Sequence, residues 1–269
     1  MKLTVLVDNH TIIGTPALGE PGLSILIEED GKKLLLDAGE QGLVPGNAQR
    51  LGVSLEGLDY VVLSHGHFDH ADGLPKLWDA VDLSQTTLLY HPEALFPKRR
   101  NGEQNGVCFT EAEAGAHMRL QYSKAPLQLT EKLWFLGEIP RVTDFEPQQA
   151  GRETLRDGLW REDAMRDDTA LAYAGEEGVF VVTGCSHSGI CNIIEYACRV
   201  CGDGRVQGVL GGFHLLTEGP QLEATAQYLR GKHIPQLCPC HCVSLAAKCA
   251  LAAETPIREV GVGFSLEVK

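Results

Sequence analysis

The sequence predicts an α/β protein whose chemistry collects at the C-terminal ends of its strands. Three observations carry that prediction. Short apolar runs bounded by Gly, Pro and Asp alternate with stretches of helical length and pattern. One such run, Leu58-Asp59-Tyr60-Val61-Val62-Leu63, leads straight into Ser64-His65-Gly66-His67-Phe68-Asp69-His70, which packs four metal-ligating side chains into six residues. His187, His214 and His241 each follow a further apolar run, at the strand ends where α/β folds gather functional groups.

In chain order, strands are predicted at Leu3–Val7, Leu23–Ile27 and Lys33–Leu36, with Glu29-Asp30-Gly31-Lys32 as the hairpin turn between the last two. A short helix follows at Asn47–Leu51, a strand at Val61–Ser64, a helix at Gly73–Trp78 and a strand at Thr87–His91. From Phe96 to about Arg166 clean periodicity is lost, charge is mixed and Gly recurs. Long stretches of this kind inside a folded domain are commonly functional, and this one reads as a substrate-covering insertion with two hairpins of its own. Strands at Gly178–Gly184, Arg205–Gly211, Ile234–Cys238 and Gly263–Val268 then alternate with helices at Ile190–Cys201, Gln221–Gly231 and Leu245–Ala253. The whole reads as one domain.

Composition narrows the function. A chain of 269 residues with 43% hydrophobic content has ample interior for a core. A formal charge of −13 argues against a nucleic-acid surface, which needs a basic stripe, and favours small-molecule chemistry. No apolar run is long enough to cross a bilayer, and Met1 to Asp8 turns acidic too early for a signal peptide, so a cytoplasmic location is expected. In that compartment the nine Cys are reduced thiols or metal ligands.

The first cluster has the spacing of a metal site. In extended chain His65 and His67 project to one side and can share an ion, while Asp69 and His70 follow closely enough to serve a second. Gly66 places no side chain in the way. Imidazole plus one carboxylate suits zinc, manganese or iron better than calcium or magnesium. A solvated His-rich loop is the plain alternative, and the regular spacing among only ten His argues against it.

The motif His65-x-His67-x-Asp69-His70, followed by Ala71-Asp72-Gly73-Leu74, closely resembles the signature of the metallo-β-lactamase-fold superfamily, with Leu34 to Gly39 similar to its companion strand. The resemblance spans nearly the whole chain. Leu6-Val7-Asp8-Asn9, Gly22-Leu23-Ser24, Gly137 to Arg141, Thr183 to His187, Gly211 to Leu215 and Cys240-His241-Cys242 resemble the subgroup labelled dihydropterin-methyl-ribofuranosylaminobenzene-phosphate synthase. The resemblance implies a four-layer αββα sandwich with one or two divalent metal ions, zinc first among them, between the sheets. It also implies that His65, His67 and His187 hold the first ion, and Asp69, His70 and His241 the second.

This chain departs from the family pattern where many members carry a bridging Asp, since it has Thr183-Gly184-Cys185, and a His usual some twenty residues earlier is absent. Asp167 and Asp168 are the nearest polar residues to that gap. Either Cys185 serves as a thiolate ligand, or His187, two residues on, compensates for both losses; His187 is the preferred reading. Further roles follow from the same resemblance. Asp69 ligates metal and orients a nucleophilic water, and His214 protonates a leaving group. Arg141 anchors an anionic substrate, with Asn9 and Glu20 lining the same cleft, and Lys98, Arg99 and Arg100 are additional anchors by charge.

Three functions compete at this stage. The first is hydrolysis of a small ester, lactone or phosphoester by metal-activated water. The second is a transferase joining a pterin pyrophosphate to an arylamine. The third is a thiol sensor built on Cys198-x-x-Cys201 and Cys238-x-Cys240-x-Cys242, for which small Cys residues packed in the core are the blander account.

Overall fold

Alternation along the central strands divides their side chains between two destinations, and the layering follows from it. The computed structural model describes residues 1–146 and 151–269. The first half runs β1 (Lys2–Val7), β2 (Ser24–Glu29), β3 (Lys32–Leu36), α1 (Val44–Leu51), β4 (Tyr60–Val62), α2 (Phe68–Ala71), α3 (Leu74–Ala80) and β5 (Thr87–Tyr90). A middle region holds β6 (Lys98–Arg100), β7 (Glu103–Gln104), α4 (Glu111–His117), β8 (Arg119–Tyr122), β9 (Leu127–Gln128), β10 (Leu133–Phe135), β11 (Arg152–Arg156) and β12 (Leu159–Glu162). The chain then continues through β13 (Ala170–Gly175), β14 (Gly178–Thr183), α5 (Ile190–Cys201), β15 (Val206–Gly211), α6 (Pro220–Gly231), β16 (Gln236–Pro239), α7 (Leu245–Glu254) and β17 (Ser265–Glu267).

One sheet has the order β17-β1-β2-β3-β4-β5-β8, a second β16-β15-β14-β13-β10-β9, and a small third β12-β11-β6-β7. Leu34 and Leu36 of β3 pack with Phe180 and Val182 of β14 in a core between the two large sheets, whereas Leu35 turns the other way, onto Val44, Ala48 and Leu77 of the first-half helices. Val179 and Val181 of β14 likewise face Ile193 of α5 and Leu229 of α6. Period-two alternation with apolar residues on both faces therefore builds an αββα sandwich. The hairpin between β2 and β3 turns on Asp30 (φ 50°) and Gly31 (φ 71°), the left-handed pair that a two-residue connection requires.

Two differences from the sequence reading are informative. The stretch from Phe96 to Arg166 is not one surface excursion. β8 pairs in parallel with β5, and β10 pairs with β13, so parts of it complete both large sheets. The two anticipated hairpins are β6–β7 and β11–β12, joined edge to edge through Thr154 opposite Lys98. The strand Ala170–Gly175 goes unread in the sequence because Ala170 and Ala172 carry little strand preference; they lie against the helical layer while Leu171 and Tyr173 enter the core between sheets. Among the described residues no helix is long and apolar enough to cross a membrane.

Candidate metal centre

Parallel pairing of β3, β4 and β5, and of β14, β15 and β16, brings the ends of these strands to one edge of the sandwich. There the backbone is bent unusually. Asp37 after β3, Ser186 after β14, His214 after β15 and His241 after β16 all adopt positive φ, at 60°, 58°, 49° and 52°. Left-handed backbone at a non-glycine residue costs about 1 kcal/mol or more, and here it concentrates at the site. The purpose of Gly66 is also visible. A Cβ there would lie 1.7 Å from the carbonyl oxygen of Ala94, so a close approach of two backbones, rather than clearance for a second ion, demands glycine.

The side chains meet in two groups. In the first, His65 Nε2 lies 3.0 Å from His67 Nδ1, and His187 Nε2 lies 3.1 Å from the same His67 nitrogen. In the second, His70 Nε2 lies 3.1 Å from both His241 Nε2 and Cys185 Sγ. Asp69 stands at its rim, with Oδ2 3.4 Å from His241 Nε2 and 3.9 Å from His70 Nε2. Cys185 belongs to both groups: its sulfur clusters within 4.8 Å with His65 and His187, and again with His70 and His241. The sequence reading treats Cys185 and His187 as alternatives, and the structure brings both to the centre.

Hydrogen bonds outside the groups fix which nitrogens face inward. Asp37 accepts three: from the Ser64 backbone N–H at 2.7 Å, from the Ser64 hydroxyl at 2.7 Å and from His70 Nδ1–H at 2.6 Å. Because Ser64 donates to Asp37, its oxygen accepts from His65 Nδ1–H at 2.9 Å. Asn9 Oδ1 accepts from His241 Nδ1–H at 2.8 Å. Thus His65, His70 and His241 each turn a bare Nε2 lone pair toward the centre. Two lone pairs 3.1 Å apart, on His70 and His241, repel unless a cation lies between them. Tetrahedral nitrogen ligands about 2.0–2.1 Å from zinc are about 3.3 Å from one another, close to the separations found here, so the residues present fit a divalent ion.

Electrostatics agree for the first group; in the second, burial opposes charge on His70, but Asp37 and Asp69 outweigh it and raise His70 above the usual imidazole range, so a metal ion there would displace a proton. Burial holds His65, His67 and His187 well below the usual imidazole range, leaving them neutral and able to ligate. Burial pushes the Cys185 thiol well up, so its proton leaves only when a cation is beside it. Burial acts against ionised Asp69, but His70 and His241 outweigh it and hold that carboxyl well below its ordinary value. The His214 ring packs on His187 with centroids 4.5 Å apart and planes tilted by 53°, and burial together with Arg152 pushes it down to about 4. It is therefore neutral near pH 7, which differs from the protonated acid that the sequence reading assigns.

The remaining sequence candidates are otherwise engaged. Both carboxylate oxygens of Glu20 accept backbone N–H groups, from Glu40 and Gln41. Arg141 holds the carbonyl oxygen of Ala164. Lys98 is buried against Asp163 and Asp167 at 3.0 and 3.2 Å, and Arg99 pairs with Glu153. Cys238 and Cys240 belong to the core between the sheets. All nine thiols are free.

Sequence reasoning missed Asp37, Arg152 and the work of Asp167 and Asp168. Asp168 accepts the backbone N–H groups of His187 and Ser188, and Asp167 that of Gly66, so each shapes a ligand-bearing loop. A lone acidic residue closing the apolar strand Leu34-Leu35-Leu36 is the signal that could have found Asp37.

A layered αββα fold with a His-rich centre at its strand ends defines the class of protein. A family model described as the metallo-β-lactamase superfamily matches residues 17–196, and the chain belongs to that superfamily. It is 30% identical to an uncharacterised protein of Methanocaldococcus jannaschii across 91% of both chains. It is also 26% identical to the 7,8-dihydropterin-6-methyl-4-(β-D-ribofuranosyl)-aminobenzene-5'-phosphate synthase of the same organism, across 92% of this chain and 89% of that one. Among solved structures, Tm1679, a metal-dependent hydrolase of the β-lactamase superfamily, superposes with a TM-score of 0.86 at 27% identity, covering 100% of this chain and 99% of that chain.

Proposed function

We propose that the protein is a metal-dependent hydrolase of a small ester, lactone or phosphoester. The observation that carries the reading is the pair of inward lone pairs on His70 and His241, 3.1 Å apart, whose other nitrogens are already committed to Asp37 and Asn9. His65, His67, His187 and Cys185 would hold one divalent ion, and His70, His241, Asp69 and Cys185 a second, zinc being favoured over manganese or iron by the imidazole and thiolate donors. When bound, the metal lowers the pKa of its water toward about 7 and polarises a carbonyl or phosphoryl oxygen.

The protein groups supply orientation and proton handling. Asp69, ionised and partly exposed at the rim, accepts a proton of the attacking water and aims it. His214 Nε2 faces Arg152 Nη2 at 3.5 Å, so its hydrogen resides on Nδ1; as a neutral imidazole it offers a departing oxygen a hydrogen bond, and the proton that oxygen needs is the one Asp69 has taken from the water. The −13 charge favours a small-molecule substrate over nucleic acid, and nine unpaired thiols favour a cytoplasmic location.

The test is product analysis in oxygen-18 water with metal counted per chain. Label entering the product supports hydrolysis; turnover without label sinks it. The second reading, transfer of a pterinylmethyl group from its pyrophosphate to an arylamine, draws on the 26% identity to the synthase. It expects turnover without solvent oxygen in the arylamine product.

A further inference from the structure

Cys242 is a thiol that neither the ligand groups nor the core accounts for. Among the described residues it belongs to neither group of inward-facing donors, and it lies outside the cluster that takes Cys238 and Cys240 between the sheets. Its sulfur nevertheless reaches Cys185 across the ends of β14 and β16. Cys242 Sγ lies 3.6 Å from the Cys185 carbonyl oxygen, and the Cys185 thiol hydrogen-bonds to the Cys242 sulfur. Gly212 makes the approach possible. A Cβ there would lie 2.5 Å from Cys242 Sγ and 3.4 Å from Cys185 Cα, so the two cysteines converge over a residue with no side chain to part them.

Accessibility divides the pair into roles. Cys242 is partly exposed, whereas Cys185 is buried. The nucleophile toward an oxidant is the thiolate, and the backbone N–H of His214 points at Cys242 Sγ from 3.3 Å, where it stabilises negative charge on sulfur. We propose that Cys185 and Cys242 are a redox-active thiol pair, oxidised by a hydroperoxide to a disulfide that withdraws the Cys185 sulfur from the candidate metal centre. The Cys242 sulfur attacks a peroxide oxygen, the O–O bond breaks, and the leaving oxygen takes the proton that left Cys242, giving a sulfenic acid and water or an alcohol. The Cys185 sulfur then attacks the Cys242 sulfur: the S–S bond forms, the S–O bond breaks, and hydroxide departs as water with the Cys185 proton. The two thiols lose two electrons and the peroxide gains them. A small thiol reductant restores the pair by exchange.

The consequence for the metal follows from the place of Cys185. Its sulfur lies 3.1 Å from His70 Nε2 and clusters with both ligand groups, so one disulfide removes a donor from each. That consequence rests on the metal-dependent reading, whereas the disulfide itself does not. Sequence spacing singles out Cys198-x-x-Cys201 and Cys238-x-Cys240-x-Cys242; the fold instead sets Cys242 against a residue 57 positions away.

The experiment treats the purified protein with one equivalent of hydrogen peroxide, alongside Cys242→Ser and Cys249→Ser. It reads free thiols, intact mass, the cross-link by peptide mapping, and metal released to a chromogenic chelator. The parent is expected to lose two of its nine thiols and two hydrogens in mass, with Cys185 joined to Cys242, and dithiothreitol to restore both thiols. Cys242→Ser should match the parent in metal content before treatment and release metal at least tenfold more slowly under peroxide. Cys249→Ser, which lacks an exposed thiol elsewhere, should behave as the parent. A peptide map without the Cys185–Cys242 link overturns the redox pair. If the link forms and metal leaves the parent no faster than Cys242→Ser, the hold of the disulfide on the centre is refuted. A parent that forms the link but carries no metal, as purified or after zinc is supplied, refutes the metal-dependent reading and leaves the redox pair standing.

Discussion

Asp37 Oδ2 lies 2.6 Å from His70 Nδ1 and 2.7 Å from the Ser64 hydroxyl, so one carboxylate sets the ring orientation of two imidazoles, His70 directly and His65 through Ser64. Each of the two ligand groups thereby has a member governed by the same buried side chain. Asp37→Asn keeps the shape but presents an amide N–H where donors already point. Support of this kind is worth tenfold to a hundredfold in metal affinity, and a loss of that order is expected for Asp37→Asn in chelator competition. An affinity within twofold of the parent would show that the tautomers are fixed elsewhere.

Glu146 is a second carboxylate whose effect is indirect. The helix α5 begins at Gly189, which offers no capping side chain, and Glu146 supplies the caps from outside it: Oε1 accepts from Cys191 N–H at 2.9 Å and Oε2 from Asn192 N–H at 3.0 Å. Loss of a helix cap costs about 1–2 kcal/mol. Glu146→Ala is expected to lower stability to urea by that amount. A midpoint equal to the parent would mean that other groups satisfy the start of the helix.

Lys98 belongs to the fold rather than to substrate. Its ammonium is buried between Asp163 and Asp167, and Asp167 also accepts from the Gly66 backbone N–H at 2.8 Å. Removing one partner of a buried ion pair costs about 3–5 kcal/mol because the other charge stays behind. Lys98→Met should therefore fall in that range by urea denaturation and reduce metal content through the loop carrying His65 and His67. A change under about 1 kcal/mol would instead put Lys98 among ordinary exposed surface charges.

Legibility followed the length of the physical signal. The helix Ile190–Cys201 has the predicted limits because its apolar face repeats over three turns and Gly bounds both ends. His65, His67, Asp69 and His70 were readable because they are adjacent in sequence, and His187, His214 and His241 because each follows an apolar strand. The strands β6, β7 and β9 span two or three residues, too few for alternation to register. The helix Glu111–His117 did have a local signal, the Thr110–Glu113 capping box, which went unread in a charged stretch. Asp37 and Arg152 were illegible as site residues for a different reason: their partners, His70 and His214, lie 33 and 62 residues away.

Cys185 offers the sharpest comparison with His187, since the sequence leaves them as rivals and the geometry gives them different reach. The sulfur of Cys185 clusters with His65 and His187 on one side and with His70 and His241 on the other, whereas His187 takes part only in the first group. Removing the thiol should weaken both groups; removing the imidazole should weaken one. In protein purified without added metal, His187→Ala is expected to lose one equivalent relative to the parent and Cys185→Ala both, with His241→Ala losing the other single equivalent. Elemental analysis of the three variants checks the pattern, and circular dichroism verifies that each is folded. If Cys185→Ala retains the parent's full metal content, the thiol is a packed neighbour, and the imidazoles with Asp69 suffice. If His187→Ala and Cys185→Ala lose the same single equivalent, the sulfur serves one ion only, and the second group must draw its donors from His70, His241 and Asp69.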